Sequence, residues 1–133
     1  VQIRRRGGEP EPTPFERWGG AQFFVDLVER FYAEVVNEPL LAHMYPEDVT
    51  ESKEHLALFL MQYWGGPSTY NEQRGAPRLR MRHVPFVIGQ AEAEAWLRHM
   101  TASVRAAGMQ PDDEQLLLEY LAMAAGSLVN ART

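Results

Sequence analysis

Phe24-Val25-Asp26-Leu27-Val28-Glu29-Arg30-Phe31-Tyr32-Ala33-Glu34-Val35 is the stretch that decides the fold class. Phe24, Val28, Phe31, Tyr32 and Val35 stand at i, i+4, i+7, i+8 and i+11, which is one face of a helix. The spacing predicts a helix from about Gly20 onward. Pro39 and the Tyr45-Pro46 pair interrupt it and mark a turn-rich connector. Thr50 then reads as an N-cap, and Leu56, Phe59, Leu60 and Tyr63 share a face of a second helix that stops at Gly65-Gly66-Pro67.

Residues 65–88 have no regular period and contain Gly65, Gly66, Gly75, Pro67, Pro77 and Pro85 among many large side chains. So long an irregular stretch in a compact domain is expected to be functional or to hold a short helix. Two longer helices follow, at about 90–106 (Trp96, Met100 and Val104 in line) and 112–130 (Leu117, Tyr120, Leu121, Ala124 and Leu128 in line). Pro111-Asp112-Asp113-Glu114 makes a suitable start for the last. No strand, internal repeat or heptad seam is apparent. The expected architecture is all-α, with four main helices. Residues 1–14, with three prolines and the run Arg4, Arg5, Arg6, read as a mobile arm ahead of one domain at 15–133.

Composition narrows the function. A chain of 133 residues with 45% apolar and 23% charged residues is an ordinary globular domain. Its net charge of −5 argues against a nucleic-acid binder. The absence of cysteine removes disulfides, thiolate catalysis, iron–sulfur clusters and covalent haem attachment. No apolar run approaches the ~20 residues of a membrane span, and the N-terminal residues lack a secretion signal, so a cytoplasmic location is expected.

His83 lies in Arg80-Met81-Arg82-His83-Val84-Pro85-Phe86. An imidazole among apolar neighbours suits an axial haem ligand, with arginines beside it for propionates. A loop histidine bonded to backbone is the alternative. Tyr32 and Trp96 each bring a polar donor onto an apolar face, as core aromatics with local partners or as part of a site. Tyr45 is equally open. His43, His55 and His99 have no metal-binding spacing.

Several separated segments carry a resemblance. They are Arg30-Phe31-Tyr32, Tyr45-Pro46-Glu47-Asp48, Phe59 to Pro67, Tyr70-Asn71-Glu72-Gln73-Arg74-Gly75, Pro77 to Phe86, Ala95-Trp96-Leu97 and Ser127-Leu128-Val129-Asn130. Over about residues 15–130 the chain closely resembles the group II, or O-type, truncated haemoglobins of bacteria. The resemblance implies a truncated globin: a two-over-two helical sandwich with a long irregular proximal segment and non-covalent haem b. It implies His83 as the iron ligand and Tyr32, Tyr45 and Trp96 as donors to the distal ligand. It also places Ser52, His55, Leu56, Phe59, Tyr70, Met81, Arg82 and Phe86 around the haem.

The function implied is reversible binding of dioxygen, carbon monoxide and nitric oxide, for oxygen carriage, with tight binding and slow release. The enzymatic alternative is nitric oxide dioxygenation or peroxidase-like oxidation. Turnover there calls for a separate reductase, because 133 residues leave no room for a reductase domain. A homodimer is the assembly to test. A haem-free helical interaction module remains only if His83 is not a ligand.

Overall fold

The computed structural model describes residues 11–131. Most of the expected arm, residues 1–10, lies outside the described residues. Within them the order is α1 (Pro14–Arg17), α2 (Ala21–Val35), a 3-10 turn (Ala42–Met44), α3 (Thr50–Tyr63), α4 (Thr69–Arg74), α5 (Leu79–Arg82), α6 (Gln90–Arg105) and α7 (Pro111–Ser127), with no strand. Helix α2 packs on α3, α6 packs on α7, and α2 also crosses α6. That is the two-over-two sandwich.

The stripe on α2 builds the core. Phe24, Leu27, Phe31 and Val35 have no exposed surface, and burying such a side chain stabilises by roughly 1.5–3 kcal/mol as an upper estimate. Arg30, on the same helix, donates from Nε and Nη2 to the Ser103 carbonyl at 3.2 and 3.1 Å, joining α2 to α6. Met100, Val104, Leu117 and Leu121 close the core from the α6–α7 layer.

Helix α3 begins differently from the expectation. Thr50 is its first residue rather than its cap. Val49 stands at the cap without a side-chain bond, and ahead of it Asp48 Oδ1 accepts from the Thr50 N–H at 3.0 Å and its hydroxyl at 2.7 Å in an Asx turn. Tyr63, expected on the buried face, is 50% exposed. It sits on the last turn of α3 and stacks on Tyr120 of α7, with ring centroids 3.9 Å apart.

The arm also ends sooner than expected. Thr13 caps α1 in a reciprocal box with Glu16. The Phe15 N–H then bonds the Trp64 carbonyl at 2.9 Å. Thr13 and Pro14 therefore belong to the folded body. A helix of four residues is too short to show a period, so its sequence signals were the capping box and Pro14 at its start. Gly65-Gly66 makes room for α1. A Cβ on Gly66 would lie 2.6 Å from Cδ1 of Phe15, and Gly65 has a φ of 95°.

The irregular stretch contains two short helices. Helix α4 rests on α3, helped by a two-way amide bond between Gln62 and Asn71 at 2.9 and 3.0 Å. Helix α5 follows Arg78, whose φ of 44° is the one positive value on a non-glycine among the described residues. Helix α7 stops at Ser127, short of the expected 130. Its last residues turn back toward α5.

Candidate functional site

A cavity of about 390 Å³ opens between the layers and the 65–88 segment, within the ~300–1,000 Å³ typical of cofactor pockets. Leu56, Phe59 and Leu60 of α3 wall it with apolar surface, and Leu121, Ala125 and Leu128 close the far side. Of the residues the sequence singled out, His83, Tyr32, Tyr45, Trp96, Ser52, His55, Leu56, Phe59, Tyr70, Arg82 and Phe86 all line this cavity.

Met81 does not. It is 57% exposed. Leu79, Arg82 and His83 lie on the cavity side of the α5 turn at i, i+3 and i+4, which turns i+2 toward solvent.

His83 directly follows α5, and its Nδ1 lies 2.6 Å from the Leu79 carbonyl one turn earlier. A carbonyl only accepts, so Nδ1 carries a proton, and in the neutral ring the lone pair is then on Nε2. The two sequence readings of His83 are thus compatible, since each ring nitrogen serves a different purpose. Asn130 secures the backbone here. Its Nδ2 donates to the carbonyls of His83 and Phe86 at 3.2 and 2.8 Å, and its Oδ1 accepts from the Ile88 N–H at 2.8 Å.

A second group forms around the tyrosines. The rings of Tyr32 and Tyr45 meet edge-on, 5.4 Å between centroids, and Trp96 packs on Phe31 at 5.5 Å. The Ser52 hydroxyl faces the Tyr32 oxygen, and the Trp96 indole N–H, which can only donate, faces the Tyr45 hydroxyl. Burial raises the Tyr32 phenol well above its ordinary range, and nearby Tyr45 adds to this against the Ser52 bond. Burial likewise pushes Tyr45 up to about 12, with the Trp96 bond pulling the other way. Both phenols therefore stay protonated and able to donate. No hydrogen bond or ring contact joins this group to His83 among the described residues.

The third group is cationic. Arg82 donates from Nε to the Pro77 carbonyl at 2.7 Å and from Nη2 to the Arg74 carbonyl at 2.8 Å. Arg74 Nη1 lies 3.0 Å from His55 Nε2. An arginine can only donate, so this histidine nitrogen accepts. Both guanidinium groups lie over the Tyr70 ring, 5.9 Å from its centroid. Arg74 Nε is buried and has no partner. No carboxylate pairs with Arg74, Arg82 or His55 among the described residues.

Sequence reasoning missed Arg74, Leu79, Tyr120 and Asn130 as parts of this site. Arg74 and Asn130 stood inside the matching segments. Leu79 contributes through its carbonyl, which no sequence pattern marks, and Tyr120 was read as core alone.

Apolar walls, an imidazole with a free Nε2 and an edge of unpaired cations fit a flat iron macrocycle bearing carboxylates. The buried, unpartnered Arg74 Nε is the sharpest sign that an anionic group belongs there. No group of three or more His, Cys, Asp or Glu able to hold a bare metal ion exists among the described residues.

Comparisons with known proteins agree. A family model described as bacterial-like globin matches residues 13–130. The chain is 37% identical to Group 2 truncated hemoglobin YjbI of Bacillus subtilis, covering 92% of each protein. Its fold matches the thermostable haemoglobin of the actinobacterium Thermobifida fusca with a TM-score of 0.88 and 50% identity, over 90% of this chain and 98% of that one. It also matches the truncated oxygen-avid haemoglobin of Bacillus subtilis with a TM-score of 0.85 and 37% identity, over 90% of this chain and all of that one (100%). The cofactor of this family is non-covalent haem b, and the pocket residues suit it. On the family model and these relatives, the chain belongs to the bacterial-like globins, among the group II truncated haemoglobins.

Proposed function

We propose that this protein binds diatomic gases reversibly, dioxygen foremost, with His83 as the axial ligand of its haem and Tyr32, Tyr45 and Trp96 shaping the distal side. The observation that carries this reading is the Nδ1 bond from His83 to the Leu79 carbonyl, which leaves Nε2 free on the cavity wall. When bound, the haem supplies an iron centre that takes small ligands and passes negative charge onto them. His55, Arg74 and Arg82 offer its carboxylates charge-assisted hydrogen bonds.

The distal group follows a simple proton logic. In this reading Trp96, which can only donate, serves the Tyr45 oxygen, and Ser52 serves the Tyr32 oxygen. Each phenolic proton is then left for a ligand in the cavity. Donors aimed at developing negative charge in an apolar site stabilise it strongly and slow its departure. The Bacillus subtilis relative described as oxygen-avid supports the same direction.

The test is an absorption spectrum of the haem-loaded protein, reduced and exposed to carbon monoxide. A Soret band that shifts with carbon monoxide is expected. In His83→Gly the band should change and be restored by added imidazole. A band unaffected by loss of His83 removes it as the ligand, and no band at all after haem addition refutes the reading as a whole.

A further inference from the structure

We infer that the outer face of the segment bearing His83, formed by Arg78, Arg80, Met81, Val84 and Val87, docks a small acidic one-electron carrier protein that returns oxidised haem iron to the ferrous state. The inference rests on the cavity holding haem with His83 on its iron, as proposed above. It adds where the electron enters and what delivers it.

Charge singles out this face. The chain has a net charge of −5, yet residues 73–91 hold four arginines, at 74, 78, 80 and 82, and no carboxylate. Helix α5 sorts them. Arg82 turns inward with Leu79 and His83 and donates to the Pro77 and Arg74 carbonyls. Arg78 and Arg80 are exposed, and neither guanidinium has a hydrogen bond or ion pair among the described residues.

Apolar surface lies beside these charges. Met81, Val84 and Val87 are 57, 71 and 74% exposed. The backbone beneath them is fixed. The Val84 N–H bonds the Met81 carbonyl at 3.3 Å, the Phe86 N–H bonds the His83 carbonyl at 3.0 Å, and Asn130 holds the carbonyls of His83 and Phe86. Aliphatic side chains held in water on an ordered backbone mark a contact surface. An apolar centre edged by charge of one sign suits brief electron-transfer encounters, which bury less than ~1,200 Å² and rely on charge for steering.

The face also stands where an electron is needed. Val84 follows His83 directly in the chain. Phe86 lines the cavity, is 37% exposed, and has its ring 6.3 Å from the His83 ring. Dioxygen binds only ferrous haem, so an oxidised haem must gain one electron to bind it again. The reduced centre of the carrier loses that electron and the ferric iron gains it, with no covalent bond formed or broken.

The chemistry of the face selects the occupant. A second copy in a two-fold contact would set Arg78 and Arg80 against themselves. A lipid surface is a poorer match, because residues 75–91 contain no Lys, Trp or Tyr to anchor at an interface. An acidic protein answers both the free arginines and the apolar centre.

The test uses the isotope-labelled, haem-loaded protein with two probes, an acidic two-iron ferredoxin and an acidic flavodoxin. In the ferrous carbon monoxide form, adding either oxidised carrier should shift the amide resonances of residues 78–87. In R78E/R80E those shifts should vanish, and reduction of the ferric protein by the reduced carrier should slow by at least ~10-fold at low salt. V84S/V87S should weaken binding several-fold and leave the salt dependence in place. R105E, on the exposed side of α6, should change neither measurement. All variants should keep the parent Soret band. Shifts confined to another face, no shifts with either carrier, or an unchanged reduction rate in R78E/R80E overturns the inference while the Soret band stands. So does binding of phosphatidylglycerol vesicles, or a dimer, through this face without binding of either carrier. No Soret band after haem addition overturns the haem reading and this inference with it.

Discussion

The side-chain amide of Asn130 donates to the backbone carbonyl of His83 at 3.2 Å, across 47 positions of sequence. With its further bonds to Phe86 and Ile88, this one residue uses both donors and its acceptor to hold the segment that carries the imidazole. Helix α7 packs against α6, and the residues that follow it clamp the segment on which His83 stands.

Asn130→Ala should leave the Phe86 carbonyl and the Ile88 N–H without their partner. The Ile88 bond is partly buried and the Phe86 bond exposed, so their loss costs about 1 kcal/mol. The expected result is a lower urea midpoint and faster haem loss to an acceptor such as apomyoglobin. Asn130→Asp keeps the acceptor for Ile88 but faces two carbonyls with a carboxylate, so it should rescue nothing. A stable variant with unchanged haem retention contradicts the clamp.

The distal donors should behave as a chain rather than as independent contacts. Trp96→Phe removes the bond into the Tyr45 oxygen, and dioxygen release should speed up by at least ~10-fold, about 1.4 kcal/mol. Tyr45→Phe should act in the same direction. Because Trp96 works through Tyr45 in the ligand-free pocket, the double variant should fall short of the summed effects, with a coupling of about 0.5 kcal/mol or more. Stopped-flow release from the two single variants and the double variant decides. Strict additivity would mean that each donor reaches the ligand alone.

Gly66→Ala should destabilise the fold. The new Cβ would lie 2.6 Å from Cδ1 of Phe15. That ring cannot move cheaply, because it stacks on Phe24 at 5.8 Å and its backbone is bound to Trp64. Overpacking of this kind costs about 1–3 kcal/mol. Gly126→Ala is the control. Nothing lies within 4 Å of its added Cβ, it sits inside α7, and it should stabilise by about 0.5–1 kcal/mol. Chemical denaturation of both variants checks the contrast.

Acid should weaken the link between the connector and α6. Glu38 accepts from His99 Nε2 at 2.8 Å and pairs with Arg98 at 2.6 Å. The His99 bond, then the Leu40 N–H, hold its carboxyl below the ordinary 4.5 against the opposing effect of burial, and the Arg98 and His99 charges add less. A carboxylate depressed in the folded state stabilises above its unfolded value and loses that contribution as pH falls through the folded one. Glu38→Gln should therefore melt lower than the parent near neutral pH, and the difference should shrink as pH drops below 4.5. Thermal melts of both proteins between pH 7 and about pH 3 test it. A gap in melting temperature that persists to the acid end rules Glu38 out.

The sequence by itself determined the four main helices and most of the candidate site residues. The stripe from Phe24 to Val35, the breaks at Pro39 and Gly65-Gly66 and the acidic start at Pro111 are local signals, and helix formation reads local spacing. His83, Tyr32, Tyr45 and Trp96 could be singled out by residue type and neighbours, while their meaning as a set came from resemblance. Only the tertiary structure decided what each side chain faces. It turned Met81 to solvent, put Val49 rather than Thr50 at the α3 cap, and left Tyr63 half in water against Tyr120. It also brought Arg74 to the cavity edge and Asn130 to His83. These relations depend on how four helices meet across dozens of residues, and a period of 3.6 along one helix carries no record of which distant backbone will lie against it.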